Sequence, residues 1–135
     1  MNYSPQKIID PHLHLFDLQQ GQYSWLQDTS PPFWPDKHII QKSFNQKDIE
    51  LKPPFQLAGF VHIEAGFDNQ QPWREIDWLQ QHCTLPFKSV AFCDINANTY
   101  AKQLTELKQR QSVVGIRHIL DEQAASLLSS PCIHQ

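Results

Sequence analysis

Glycine is scarce in this sequence, four residues in 135. The stretch after the first apolar run, "HLHLFDLQQGQYSWL", holds a single one. A Gly-rich loop that would cradle a phosphate is therefore missing, which disfavours a nucleotide-binding open sheet. No basic run occurs and the net charge is −3, so there is no electrostatic case for nucleic acid or anionic lipid as a partner. The three cysteines, Cys83, Cys93 and Cys132, lie far apart and form no CxxC pair. That spacing argues against a disulfide framework and sets a reducing cytoplasm as the expected compartment. The opening "MNYSPQK" lacks the apolar core of a signal peptide, and no later run approaches membrane-spanning length, so no membrane association is expected. Repeats and low-complexity segments are also absent.

What is present is a chain long enough for one domain with a real core. Hydrophobic residues make up 40% of it, a globular value. Four apolar runs read as strands, at about 7–14, 56–65 ("QLAGFVHIEA"), 88–95 and 112–120. A long loop, 15–44, is punctuated by Pro31, Pro32 and Pro35. A short helix is expected at 46–52, capped by Asn45 with Asp48 in its first turn and stopped by Pro53 and Pro54. Further helices are expected from Pro72 through Cys83, over 98–111 and from Asp121. In the first of these, Trp73, Ile76, Leu79 and Cys83 form an apolar stripe; in the second, Tyr100, Leu104 and Leu107 do so. Strands alternating with helices at this spacing predict an α/β protein of parallel β/α units. Near-continuous apolar strands agree, because parallel strands are covered on both faces.

The run "IIDPHLHLFD" (8–17) carries the unusual chemistry. Asp10, His12 and His14 fall two residues apart, so a regular strand would send all three to one face, where each polar group needs a partner. If the sheet belongs to a (β/α)₈ barrel, reactive groups should stand at the C-terminal strand ends, pointing inward. His12 and His14 meet that demand in the first strand. With Val61 and Ile63 turned to the helices, His62 and Glu64 would meet it in the second. With Val114 and Ile116 outward, Gly115 and Arg117 would meet it in the fourth, and Asp94 ends the third. Two imidazoles on one strand face suit a divalent metal such as zinc, although HxH also occurs by chance and a single inward histidine is commonly a hydrogen-bonded core residue. Asp10 is expected to act as a structural hydrogen-bonder. His38, His82 and His134 are read as surface or loop residues. For Arg117, an ion pair with Glu64 or Asp94 closing the rim is the alternative to a binding role.

Taken together, "IIDPHLHLFD…YSWL", "FVHIEAGFD…EIDWLQ" and "VVGIRHIL" resemble the amidohydrolase-related family of metal-dependent hydrolases with a TIM-barrel fold. The likeness is to its lactonase branch and extends from about Lys7 to Leu120. Phe16 stands where a Trp is common and Ser24 where a Pro is common. The resemblance implies that His12 and His14 are metal ligands, with zinc as the metal, or residues close to the lactone, since some relatives work without a metal. It implies that Arg117, with His118, holds an anionic or carbonyl oxygen of a lactone or other carboxylate-bearing small molecule; Glu64, from its place at the second strand's end, is a candidate for the same binding role. It also implies that the chain is the N-terminal part of a single barrel domain, about four of eight strands. Without the later histidines and the aspartate base, catalysis is expected to be lost or much weakened. The partners then expected are a missing C-terminal half or a second copy of the chain. The rival reading is a non-catalytic half-barrel that binds metal or ligand, or associates with itself.

Overall fold

In the computed structural model, which describes residues 4–131, the four apolar runs become strands of one sheet. They are β1 (Gln6–Leu13), β2 (Phe55–Ile63), β3 (Phe87–Phe92) and β4 (Val113–Arg117). The spatial order is β1-β2-β3-β4 and every pair is parallel. Helices α1 (Trp73–His82), α2 (Tyr100–Lys108) and α3 (Ala124–Leu128) follow β2, β3 and β4 in turn. The molecule is thus α/β with an all-parallel four-stranded sheet, as the alternation of elements requires. Among the described residues no helix is long and apolar enough to cross a membrane.

The core lies between the sheet and the α1–α2 layer. Phe60 and Ala91 from the strands, with Cys93 just after β3, meet Ile76, Leu79 and Leu107 from the helices. The stripe expected on α1 is there, with Glu75 and Trp78 buried as well. On α2, Leu107 is buried and Tyr100 and Leu104 pack partly against the core. Burial pushes the Cys83 and Cys93 thiols up to about 11. They are protonated at neutral pH and poor ligands or nucleophiles. Cys132 and His134 lie outside the described residues.

Three expectations are corrected. The helix at 46–52 is a single 3₁₀ turn, Gln46–Asp48. Asn45 and Asp48 do form a reciprocal capping box, but only four residues separate Asp48 from Pro53, too few to propagate an α-helix against its nucleation cost. The outer strands are not covered on both faces either. Ile9 of β1 is 67% exposed and Val114 of β4 is 61% exposed.

The third correction concerns β1. Asp10 pairs with Phe60 and Leu13 with His62, so three steps on β1 oppose two on β2. This bulge around Pro11 breaks the two-residue alternation. Asp10 therefore shares the face of Phe60, toward the helices, and its carboxylate accepts the His12 backbone N–H at 2.9 Å.

The loop between β1 and β2 is tied to the C-terminal rim rather than hanging free. Leu15, Phe16, Tyr23 and Leu26 are buried core residues. Trp25 Nε1 donates to the Ala65 carbonyl at 2.7 Å, and the Tyr23 N–H donates to the Gly66 carbonyl. Gly66 has φ +80°, and a Cβ there would stand 3.0 Å from the Trp25 ring. Glycine is required by both conformation and contact.

Candidate functional site

The C-terminal ends of β1, β2 and β4 converge on one rim. His12 is exposed and His14 half-buried there, and their Nε2 atoms lie 3.1 Å apart. His14 Nδ1 meets the Ile63 carbonyl at 2.9 Å. A carbonyl only accepts, so Nδ1 carries the proton and Nε2 presents its lone pair toward His12. The His12 Nε2–H then donates into that lone pair. An anchored Nδ1–H with an unprotonated Nε2 is the arrangement that orients a metal-ligating histidine, and a metal would take the place of the His12 proton between the two rings.

The distance itself is informative. Two nitrogens bound to one zinc at roughly 2.0–2.1 Å, with an angle between tetrahedral and right-angled, stand about 2.9–3.4 Å apart. The observed 3.1 Å fits two corners of such a site. Burial holds the His14 imidazole below its ordinary range; the Ile63 carbonyl opposes this, while the nearby His62, His12 and Arg117 reinforce it. A neutral imidazole, the form that binds metal, is favoured. Among the described residues no group of three or more His, Cys, Asp or Glu side chains is gathered where it could hold a metal ion.

Glu64 follows the last residue of β2 and is buried. Its Oε1 accepts from Arg117 Nε at 2.9 Å. Arg117 itself pairs in register with Phe92, on the face opposite Ala91 and the helices. The rim-closing ion pair is thus present, between Glu64 and Arg117. Burial pushes the Glu64 carboxyl up; Arg117 pulls it back and the Glu75 charge adds to the push. The Arg117 side chain remains 35% exposed, and its hydrogen bond to Glu64 is made through Nε.

His62 does not join the rim. It pairs with Ser89, is fully buried and faces α1, where Nε2 donates to Glu75 Oε1 at 3.1 Å. Its Nδ1 accepts the Leu15 N–H at 3.4 Å. The same Glu75 oxygen accepts the Ala65 N–H. The expected orientation of β2 is therefore reversed, with Phe60 and His62 toward the helices.

His118 is placed with β3 rather than with Arg117. Its Nδ1 lies 3.5 Å from Asp94 Oδ1 and its ring stacks on Phe92. Asp94 and His118 line a cavity of about 180 Å³ with Asn96 and Asp121. His38 is exposed and assigned no role. His82 stacks on Trp78 and bonds its carbonyl.

Sequence reasoning missed Glu75, the buried partner that fixes His62 and the β2 rim together. An acidic residue in a helix's first turn reads as a favourable dipole partner, and nothing in the sequence marks it as buried. Asp17 was missed as well: it accepts Trp78 Nε1 at 3.1 Å, its backbone N–H donates to the Tyr23 hydroxyl, and it so locks the long loop to α1.

No family model matches this sequence, and no solved structure matches it. The chain is similar to an uncharacterized protein, y4mH, of Sinorhizobium fredii (strain NBRC 101917 / NGR234), with 33% identity over 119 residues. That match covers 84% of this chain and 40% of the Sinorhizobium protein, so the chain spans less than half the length of this relative.

Proposed function

We infer that this chain forms one side of a metal-dependent hydrolase site of the amidohydrolase-related, lactonase-like type, built as about half of a (β/α)₈ barrel. The substrate class is a lactone or related cyclic ester or amide, of the sugar-acid or dicarboxylate kind. The observation that carries the reading is the His12–His14 pair, with Nε2 atoms 3.1 Å apart and the His14 tautomer set by the Ile63 carbonyl.

A divalent metal, zinc first, would be held by His12 and His14 with further ligands from outside the described residues. When bound, such an ion polarises a carbonyl and makes water a stronger nucleophile. The chain's own residues do the orienting. Arg117 stands over the same rim, its charge held by Glu64, and its Nη1 and Nη2 groups can donate to a carboxylate or carbonyl oxygen through planar, charge-assisted hydrogen bonds. The Trp25 and Tyr23 bonds to Ala65 and Gly66 hold the loop after β1 against the rim. They limit how far His12, His14 and Glu64 can drift relative to one another.

Titration with zinc and manganese tests this reading. Binding is expected to be weak, since structural and catalytic zinc sites take three or four protein ligands, and it should vanish in the His12→Ala plus His14→Ala double variant. Tight binding that survives the double change would place any metal elsewhere and overturn the assignment.

A further inference from the structure

We propose that Glu75 is a positioning residue for the rim, fixing the main chain beside Glu64 and, through Glu64, the place of Arg117. Glu75 lies in the first turn of α1 and is 1% exposed. Its Oε1 accepts from two donors at the end of β2, His62 Nε2 at 3.1 Å and the Ala65 N–H at 2.9 Å. The peptide plane that carries the Ala65 N–H also contains the Glu64 Cα. Holding that N–H therefore fixes the point from which the Glu64 side chain departs.

The same peptide is held from its other sides. The Glu64 N–H donates to the Val90 carbonyl of β3 at 2.9 Å, and the Ala65 carbonyl accepts Trp25 Nε1. Glu75 is brought to it by a loop that is itself tied. Asp68 Oδ1 accepts the Gln70 and Gln71 N–H groups, and Asp68 Oδ2 accepts Arg74 Nη1 at 2.6 Å. Arg117 then reaches from β4 across β3 to Glu64 Oε1, so where the guanidinium stands depends on where Glu64 stands. The Glu75 charge lies close enough to add to the upward push on the Glu64 carboxyl.

Stability alone does not call for a carboxyl at this position. Burying one costs free energy that its hydrogen bonds must offset, and apolar side chains of similar volume often serve as well. Ile76, Trp78 and Leu79 already make the buried face of α1 apolar, and an apolar residue at position 75 would extend it. What the carboxyl adds is register between the helix and the rim. Groups that orient a ligand must be held within roughly 0.5 Å of the productive geometry. His14 is anchored separately, on the Ile63 carbonyl, so Glu75 acts on the arginine side of the rim. This role rests on the substrate-binding function proposed above for Arg117.

The Arg117 Nε–H resonance in ¹H–¹⁵N correlation spectra of the 135-residue chain reads this placement. In the wild-type chain the bond to Glu64 should set its chemical shift and slow its exchange with water. Glu75→Ala should move the resonance toward that of a free arginine side chain and speed the exchange severalfold. Glu75→Gln keeps an Oε1 that can accept from both donors, and should restore shift and exchange together. Glu75→Asp withdraws the carboxyl by one methylene and should shift the resonance in the same direction as alanine, which serves if the alanine variant does not fold. Leu107→Ala opens the core on α2, away from these bonds. It should lower the melting temperature and leave the resonance in place, a separation that a merely structural role for Glu75 would not produce. An unmoved resonance in both the alanine and aspartate variants, an equal shift in Leu107→Ala, or no restoration by glutamine would each overturn the proposal. Zinc titration reads the His12–His14 pair and this resonance reads the Glu64–Arg117 pair, so the metal reading and the positioning role fail separately.

Discussion

His14 and His62 are both histidines at the end of adjoining strands, and the structure gives them opposite tasks through what each nitrogen meets. His14 Nδ1 is anchored on a carbonyl and its Nε2 faces another imidazole. Both nitrogens of His62 are consumed inside the core, by Glu75 and Leu15. Their substitutions should therefore separate. Glu75→Ala leaves the His62 Nε2–H and the Ala65 N–H without their acceptor, which should lower stability by at least about 1–3 kcal/mol while zinc binding per folded molecule is unchanged; thermal melting and titration check the two halves. The rim groups also set opposite pH dependences. The folded-state pKa of His14 is lowered, so its contribution to stability is present above 6.5 and is lost as pH falls through the folded value. That of Glu64 is raised, so its contribution is present below 4.5 and is lost as pH rises through its folded value. Denaturant melts across pH should show His14→Ala flattening the acid-side loss and Glu64→Gln flattening the loss on the rise from pH 4.5 toward neutrality.

Elements were more legible than faces. Four apolar runs separated by helical patterns define the β/α order, because burial on the sheet demands such runs whatever the details. Pairing of His12 with His14 followed from their spacing. The face of His62 did not, since Phe60, Val61 and Ile63 are all apolar and β2 offers no polar side to orient it. Asp10 was misplaced for a related reason: Pro11 seeds a bulge, and a single extra residue switches the face. The loop after β1 has no periodic pattern, yet its YSWL stretch holds the rim through Tyr23 and Trp25 contacts that no periodicity reports. Gly66→Ala tests that tether. It forces a Cβ onto φ +80° and against the Trp25 ring, at a cost of about 1–3 kcal/mol. The melting temperature should fall, and tryptophan fluorescence should shift as Trp25 leaves Ala65. An unchanged melt would mean that the loop is held by Asp17, Trp78 and the buried aromatics alone.

At the scale of the molecule, among the described residues β1 pairs only with β2 and β4 only with β3, and the rim gathers the His12–His14 pair and the Glu64–Arg117 ion pair. Two imidazoles and a paired arginine can position a substrate and begin a metal site. Among the described residues nothing supplies the remaining ligands or an aspartate base beside them. General-base assistance contributes roughly 10²–10⁴-fold, so positioning alone forfeits most of the acceleration. The 135-residue chain should accordingly show no hydrolysis of sugar-acid lactones above background with zinc or manganese present. Fused to the portion of the Sinorhizobium relative that lies outside the match, the chain should gain lactone hydrolysis. Arg117→Ala in that fusion should then lower turnover or raise KM while the far-ultraviolet circular dichroism is unchanged. Robust hydrolysis by the unfused chain would refute the division of labour between orienting rim and missing base. A folded fusion inert toward every lactone tested would keep the barrel and discard the lactonase assignment.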